Sequence, residues 1–287
     1  MGHHAPQTSV DHAPSQVVAT GHASALPLVS IVIVNYNTKG LLKYCLRGIA
    51  VAKLSFVYEV LVVDNASSDG SSDMVRRLFP DVRLFPEATN RGFAHGNNIG
   101  IAHAHGRYVL IMNPDIVVRS GALETLADFL ERHPHVAVAG PRLTNPDGSL
   151  QYSCFHFPDL FIPFYRRTLF GRLPFARRAI AQYCMTSANH AKAQTVDWLL
   201  GATIMIRKSA IDAVGLMDER FFLYFEDVDW CRRFWKEGHE VWYVPEASLT
   251  HFHQRESAEV TGIATMFSKA ARAHIVSYVK YFWKWRK

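Results

Sequence analysis

Residues 29–65 read VSIVIVNYNTKGLLKYCLRGIAVAKLSFVYEVLVVDN, and the pattern in this stretch decides the fold. Residues 29–34 and 59–64 are short runs rich in Val, Ile and Leu, the composition of strands covered on both faces. Between them Leu41, Leu42, Cys45, Leu46 and Ile49 recur at helical spacing, which gives that segment one apolar face. Strand, helix and strand with about thirty residues from one strand to the next make a βαβ crossover.

The alternation continues outward. Helices are expected around residues 71–79, 96–105 and 122–132, and strands at 82–85, 107–112 and 136–139. This order predicts an α/β fold with a Rossmann-like, doubly wound, mostly parallel sheet over residues 28–145. Residues 151–195 break the pattern with scattered aromatics, prolines and arginines, so irregular helices and a mobile loop are expected there. Regularity returns with a strand at 203–207, helices at 208–214 and up to residue 236, a strand at 240–244 and a helical C-terminal extension.

The chain has 287 residues, 49% apolar and 20% charged, enough to bury a substantial core. Cys45, Cys154, Cys184 and Cys231 lie far apart, which argues against a zinc ribbon or a disulfide framework and fits a reducing cytosol. Residues 1–26, rich in His, Ala, Ser, Thr and Pro, read as a flexible leader outside the fold. No later run reaches the roughly 18 apolar residues of a membrane span, so a soluble or peripheral protein is expected.

Basic side chains exceed acidic ones by six, and residues 268–287 alone carry Lys269, Arg272, Lys280, Lys284, Arg286 and Lys287 with no acid. The ending SYVKYFWKWRK interleaves those cations with Tyr278, Tyr281, Phe282, Trp283 and Trp285. A docking helix or a nucleic-acid patch has a similar composition. Clustered aromatics beside lysine suit an anionic headgroup boundary better than a phosphate track, so peripheral membrane contact is expected through this tail and no nucleic-acid partner.

Four further segments carry chemistry. The run FFLYFEDVDW, residues 221–230, places Glu226, Asp227 and Asp229 directly behind apolar and aromatic side chains. Burying acid is unfavourable unless each charge is paired, protonated or bound to a cation. A helix N-terminus, where acids complement the macrodipole, is the plainer reading. The run YVLIMNPDIVV, residues 108–118, is a strand interrupted at Asn113-Pro114-Asp115, where proline cannot donate to a ladder, and this leaves Asp115 at a strand end. Ligands of open α/β sheets collect at such carboxyl ends.

Asp64-Asn65 closes the second strand, where the carboxylate can accept the imide N–H of a pyrimidine or cap the turn at 67–70. NRGFAHGNNIG, residues 90–100, spaces glycines at every fourth position, which permits close packing or the approach of an anion to a helix N-terminus. There is no G-x-x-x-x-G-K-[ST] loop, and the first strand runs into Asn35-Tyr36-Asn37-Thr38 instead of a G-x-G-x-x-G turn, which argues against ATPases and dinucleotide dehydrogenases.

Taken in order, Val32-x-x-Asn35-Tyr36-Asn37, Asp64-Asn65-x-Ser67-x-Asp69-Gly70, Asn90-x-Gly92-Phe93-x-x-Gly96-Asn97, Asn113-Pro114-Asp115, Trp198-x-x-Gly201-Ala202, Phe221-Phe222-x-Tyr224-x-Glu226-Asp227-x-Asp229 and His251 resemble the family 2 inverting glycosyltransferases, especially the bacterial rhamnosyltransferase-like branch. The resemblance covers about residues 28–255 and implies a GT-A fold, a nucleotide-sugar donor and a divalent metal, Mg²⁺ or Mn²⁺. It divides the chain into a domain over residues 27–255, with a nucleotide-binding half (27–145) and an acceptor and catalytic half (146–255), followed by the tail at 256–287.

By that resemblance Asp64, beside Asn65, reads the pyrimidine. Asn35, Tyr36, Asn37, Asn90, Gly92, Phe93 and Asn97 line the nucleoside and sugar. Asp115, beside Asn113, holds the metal on the diphosphate, and His251 is a further metal or diphosphate ligand with His253 as competitor. Asp227 is the general base and Glu226 orients it, raises its pKa or caps a helix. Asp229 points elsewhere, into a structural salt bridge. Trp198 is either a wall for sugar or acceptor or a core aromatic. The usual D-x-D of the family reads Asn113-x-Asp115 here, which leaves one carboxylate and implies looser metal dependence.

The resemblance favours dTDP-rhamnose as donor, with UDP-sugars competing. A glycan or polyprenyl-diphosphate-linked sugar is the acceptor suited to the tail and to the arginine-rich segment 164–178, which implies a cytoplasmic enzyme at the inner face of the membrane, in cell-surface polysaccharide synthesis. Two other classes share part of this pattern. A sugar nucleotidyltransferase shares the sheet but needs a Gly-rich, Arg-bearing loop after the first strand, absent from residues 35–40. A non-catalytic carbohydrate- or membrane-binding module explains the tail and leaves the buried acids without a purpose.

Overall fold

The computed structural model describes residues 26–252 and 269–286. Residues 1–25 of the expected leader, His253 and residues 256–268 of the expected tail lie outside the described residues. The first half of the fold runs β1 (Val29–Asn35), α1 (Lys39–Ala52), β2 (Tyr58–Asp64), α2 (Ser71–Leu78), β3 (Arg83–Pro86), α3 (Phe93–Ala102), β4 (Tyr108–Met112), β5 (Ile116–Val117), α4 (Ala122–Arg132) and β6 (Val136–Thr144). Short elements follow: β7 (Leu150–Gln151), β8 (Cys154–Phe155), α5 (Ile162–Arg167), a 3₁₀ turn (Leu169–Arg172), α6 (Pro174–Tyr183), β9 (Gln194–Thr195) and β10 (Trp198–Leu199). The chain then forms β11 (Thr203–Arg207), α7 (Lys208–Val214), α8 (Glu226–Lys236), β12 (Glu240–His251) and α9 (Lys269–Lys284).

The main sheet is ordered β3-β2-β1-β4-β11-β6-β12-β5. β1 pairs in parallel with β2 and β4, and β2 with β3, as the βαβ spacing predicts. β11 departs from that pattern by running antiparallel between β4 and β6, while β6 and β12 are again parallel. Residues of β1 are buried on both faces because helices cover both sides of the sheet. α1 packs Leu42, Cys45, Leu46 and Ile49 against one face, each fully buried aliphatic contributing about 1.5–3 kcal/mol.

α3 covers the other face at short range. A Cβ at Gly96 would lie 2.8 Å from Val34 Cγ1, and one at Gly100 would overlap Val32 Cγ1, so these two glycines let the helix lie flat on β1. The four-residue glycine spacing is thus a packing device from Gly96 onward.

α9 docks against the domain with one face. Tyr281 is fully buried, Ser277 Oγ donates to the Leu223 carbonyl at 2.9 Å, and Lys284 and Trp285 reach the buried Asp229. Part of the tail's aromatic and basic composition therefore serves docking, while Trp283 remains 67% exposed. No described helix is long and apolar enough to cross a membrane.

Candidate active site

The register of β1 on β2 pairs Asn35 with Asp64 at the carboxyl ends of both strands. Asn35 Nδ2 donates to Asp64 Oδ1 at 3.1 Å and to Ser67 Oγ at 3.0 Å, and Thr38 Oγ1 donates to Asn35 Oδ1 at 2.6 Å. Ser72 Oγ, on the first turn of α2, donates to Asp64 Oδ2. Asp64 thus supports the helix after the 67–70 turn, and its buried carboxylate closes the end of the strand. Asn37, at φ 53°, accepts from the Ser68 N–H at 2.8 Å, a left-handed conformation that Asn tolerates. Tyr36 is half exposed at the rim.

The loop after β3 is tied to these strand ends by Asn65, whose Nδ2 donates to Asn90 Oδ1 at 2.9 Å and to the Gly92 carbonyl at 3.1 Å. Gly92 sits at φ 99°, and a Cβ there would overlap the Phe222 carbonyl, so the position demands glycine twice over. That same carbonyl accepts the Phe93 N–H at 2.8 Å, which brings the aromatic run of residues 221–225 onto the start of α3. Asn97 is fully buried, donates to the Phe93 carbonyl at 3.0 Å, and keeps an Oδ1 with no hydrogen bond.

β4 stops at Met112 and the chain turns through Asn113-Pro114-Asp115, with the Ile116 N–H returning to the Asn113 carbonyl at 3.3 Å. β5 then pairs with the end of β12, which sets His251 opposite Ile116 and its Nε2 3.2 Å from Asp115 Oδ1. Behind the ring, Nδ1 lies 2.9 Å from Gln151 Oε1, a partner that assigns the proton to Nδ1. This is how a metal-ligating imidazole is held from its far side. Asp115 Oδ1 is buried and accepts no hydrogen bond. A carboxylate oxygen and an imidazole nitrogen so placed fit a divalent cation that takes its remaining ligands from phosphate and water. Among the described residues no group of three or more His, Cys, Asp or Glu is placed to hold a metal.

The three acids of the 226–229 segment are buried, and each is accommodated differently. Tyr224 and Phe225 both adopt φ 68°, a conformation of about 1–3 kcal/mol strain apiece for non-glycine residues, and they aim the first turn of α8 inward. Asp227 Oδ2 accepts the Gly201 N–H at 3.0 Å and Oδ1 accepts the Val228 N–H at 2.8 Å. Burial raises its pKa and these N–H groups oppose the rise. Glu226 has an Oε2 with no donor, and burial, then the neighbouring Asp227, hold its pKa well above the carboxylate range. Of the two, Asp227 has N–H donors that favour its charged form, whereas Glu226 Oε2 has none. Asp229 is paired with Arg233 at 3.0 Å and Lys284 at 2.7 Å and accepts from Trp285 Nε1 at 2.9 Å, the structural ion pairing expected for it.

Gly201-Ala202 joins the two acidic centres. The Gly201 N–H holds Asp227, while the Ala202 carbonyl accepts the Asn113 N–H at 2.8 Å beside the Asp115 turn. A Cβ on Gly201 would lie 3.3 Å from Asp227 and 3.6 Å from the Phe93 ring. These contacts tie the ends of β1, β2 and β4, the 90–93 loop and the start of α8 together at the strand ends, where open α/β sheets bind ligands. Trp198 lies beneath it as a core aromatic. It is 6% exposed, stacks on Phe155 at 4.5 Å between centroids, and donates Nε1 to the His156 carbonyl at 2.9 Å.

Ser72 and Gln151 escaped the sequence reading. Ser72 carries the signal of any serine in a first helical turn, and Gln151 lies 100 positions from the histidine it holds, so nothing local marks it.

A family model described as Glycosyl transferase family 2 matches residues 30–192. The N-acetylglucosaminyl-diphospho-decaprenol L-rhamnosyltransferase of Mycobacterium tuberculosis is 30% identical over 235 residues, 78% of this chain and 76% of that protein. The Rhamnosyltransferase WbbL of Escherichia coli is 28% identical over 201 residues, 66% and 69% of the two chains. A crystal structure of GalNAc-T7 with UDP, GalNAc and Mn²⁺ superimposes with TM-score 0.62 at 15% identity, over 90% of this chain and 48% of that one, a likeness of fold that makes this architecture GT-A. With its model spanning more than half the sequence, the chain belongs to glycosyl transferase family 2.

Proposed function

We propose that the protein is an inverting glycosyltransferase that moves a sugar from a nucleoside-diphosphate donor to a hydroxyl of a lipid-linked glycan, at the cytoplasmic face of a membrane, in cell-surface polysaccharide synthesis. The observation that carries this reading is Asp227: a buried carboxylate of raised proton affinity that accepts the Gly201 and Val228 N–H groups. A base with pKa raised toward working pH accepts the acceptor hydroxyl's proton more effectively as that oxygen attacks the anomeric carbon. Attack opposite the departing diphosphate inverts the configuration of the sugar.

Asp64, Asn65, Asn35 and Asn37 are assigned to the nucleoside, and Asn90, Gly92, Phe93 and Asn97 to the donor sugar and ribose. Asp115 and His251 would hold Mg²⁺ or Mn²⁺, which neutralises charge on the departing nucleoside diphosphate when bound. Rhamnose carried on dTDP is the favoured donor because two relatives are named rhamnosyltransferases, with UDP-sugars as competitors. A polyprenyl-diphosphate-linked sugar is the favoured acceptor, since the first of those relatives is named for one.

A thermal-shift panel of dTDP-rhamnose, UDP-glucose, UDP-N-acetylglucosamine and GDP-mannose, with and without Mn²⁺, tests the donor assignment on wild type and Asp115→Ala. Saturation by dTDP-rhamnose at about 100 times its Kd adds about 2.7 kcal/mol of stability. That gain should require metal and be lost in Asp115→Ala. A response to no donor, or one indifferent to Asp115, would sink the assignment.

A further inference from the structure

Between β8 and β9 the fold is turned outward. α5 and α6 bury Ile162 and Ala176, yet Phe161, Phe164, Leu169, Phe170 and Phe175 are between 46% and 74% exposed. Their rings contact one another or Tyr165: Phe164 meets Phe170 at 5.4 Å, and Phe161 and Phe175 flank Tyr165 at 6.0 Å and 5.8 Å. An aromatic cluster this dense on the surface marks an interaction site. The surrounding charge is one-sided, with five arginines and a single acid, Asp159, across residues 151–195. Asp159 is engaged locally, accepting the N–H groups of Phe161 at 2.8 Å and Ile162 at 2.9 Å.

α9 abuts this hairpin, since the Tyr278 hydroxyl donates to the Leu160 carbonyl at 2.6 Å. Its face away from Asp229 exposes Ile275, Val276, Val279 and Trp283, bordered by Arg272 and Arg286. Below the hairpin, Tyr183 of α6 stacks on Phe155 at 5.4 Å and lies 6.3 Å from Trp198, three residues before the glycine that holds Asp227. The helix pair that carries the outward cluster is therefore packed, through Tyr183, against the strand that leads to Gly201.

We propose that the α5–3₁₀–α6 hairpin, together with the outer face of α9, is a docking platform for a bilayer surface with anionic headgroups. Phe164, Leu169 and Phe170 enter the boundary between headgroups and acyl chains, and the exposed Arg172, Arg177 and Arg178 contact lipid phosphates. The one-sided positive charge, with its single acid engaged locally, suits anionic headgroups, and interfacial membrane elements place aromatic and Leu tips beside such cations. The proposal deepens the lipid-linked-acceptor reading and rests on it: an acceptor carried in the bilayer would meet the crevice from the hairpin side.

The test is co-sedimentation of the full chain with phosphatidylcholine vesicles, with or without phosphatidylglycerol. Wild type should pellet with the anionic vesicles. The triple variant Phe164→Ser, Leu169→Ser, Phe170→Ser should bind them at least about tenfold more weakly, while keeping wild-type transfer to a water-soluble acceptor analogue. Arg172→Glu with Arg177→Glu should remove the preference for anionic vesicles. Undiminished binding by the triple variant overturns the proposal, as does a wild-type dimer that the triple variant converts to monomer without vesicle binding by either. Absence of transfer by wild type to the soluble acceptor would instead count against the glycosyltransferase assignment of this site and leaves the vesicle result standing on its own.

Discussion

Three carboxylates in four positions meet three fates, and each can be separated by a single substitution. Burial and the neighbouring Asp227 raise the pKa of Glu226 well above that of the unfolded chain, so folding is linked to proton uptake. Its stabilising contribution is complete below the ordinary Glu range, about 4.3, and is lost as pH rises toward the elevated folded value. Glu226→Gln should therefore flatten the fall of Tm between mildly acidic and mildly basic pH, measured by calorimetry; an unchanged slope would place the linked proton elsewhere. Asp227 behaves oppositely in catalysis, since activity needs its charged form. The acid limb of kcat/KM should lie above the ordinary Asp range, about 3.9, because burial raises its pKa. That these acids were buried was legible from the aromatic run before them. The ion pair of Asp229 was expected too, but what holds Asp227 was not legible, because the Gly201 N–H that opposes the rise of its pKa comes from 26 residues away.

At the scale of elements, α3 and the loop before it are fitted to their neighbours by missing side chains. Gly100→Ala would press a methyl into Val32 and should lower stability by about 1–3 kcal/mol in urea titration, with donor binding retained in the folded fraction. Gly92→Ala should do more harm, because it adds a left-handed backbone penalty to overlap with the Phe222 carbonyl, and it should weaken donor binding by displacing residues 90–93. If Gly92→Ala binds donor like wild type, this loop has no role at the sugar nucleotide. The periodic glycines were visible in the sequence, but the helix was expected from Gly96, whereas Gly92 ends the loop and α3 begins at Phe93. The direction of β11 was also beyond reach, since a five-residue apolar strand reads the same parallel or antiparallel.

Across the whole molecule, the last helix in sequence packs against the turn that precedes the proposed base. Tyr281 packs on Phe225 at 5.2 Å, and Lys284 and Trp285 close on Asp229, two residues past the proposed base. Asp229→Ala would remove the carboxylate shared by Arg233, Lys284 and Trp285, leaving Lys284 with Asp218 and Arg233 with the carbonyls of Val214 and Leu216, and should lower stability by about 1.5–3 kcal/mol in denaturant unfolding. Loss of the anchor should also loosen the strained Tyr224-Phe225 turn and reduce kcat; full activity in a destabilised Asp229→Ala would mean that α9 stabilises the fold without positioning the acids. The tail's composition alone did not separate docking from membrane contact, because both use aromatics beside cations. The structure identifies the docking face, with Tyr281 and Trp285 turned inward and Trp283 outward.

The central claim is that Asp227 takes the acceptor's proton at a donor site built on Asp64, Gly92 and Asp115. The most direct measurement compares sugar transfer from dTDP-rhamnose to a soluble diphosphate-linked acceptor by wild type and Asp227→Asn, with donor-induced Tm shifts recorded on the same samples. The account predicts that Asp227→Asn keeps the donor shift while transfer falls about a thousandfold. Transfer by Asp227→Asn at the wild-type rate would contradict it.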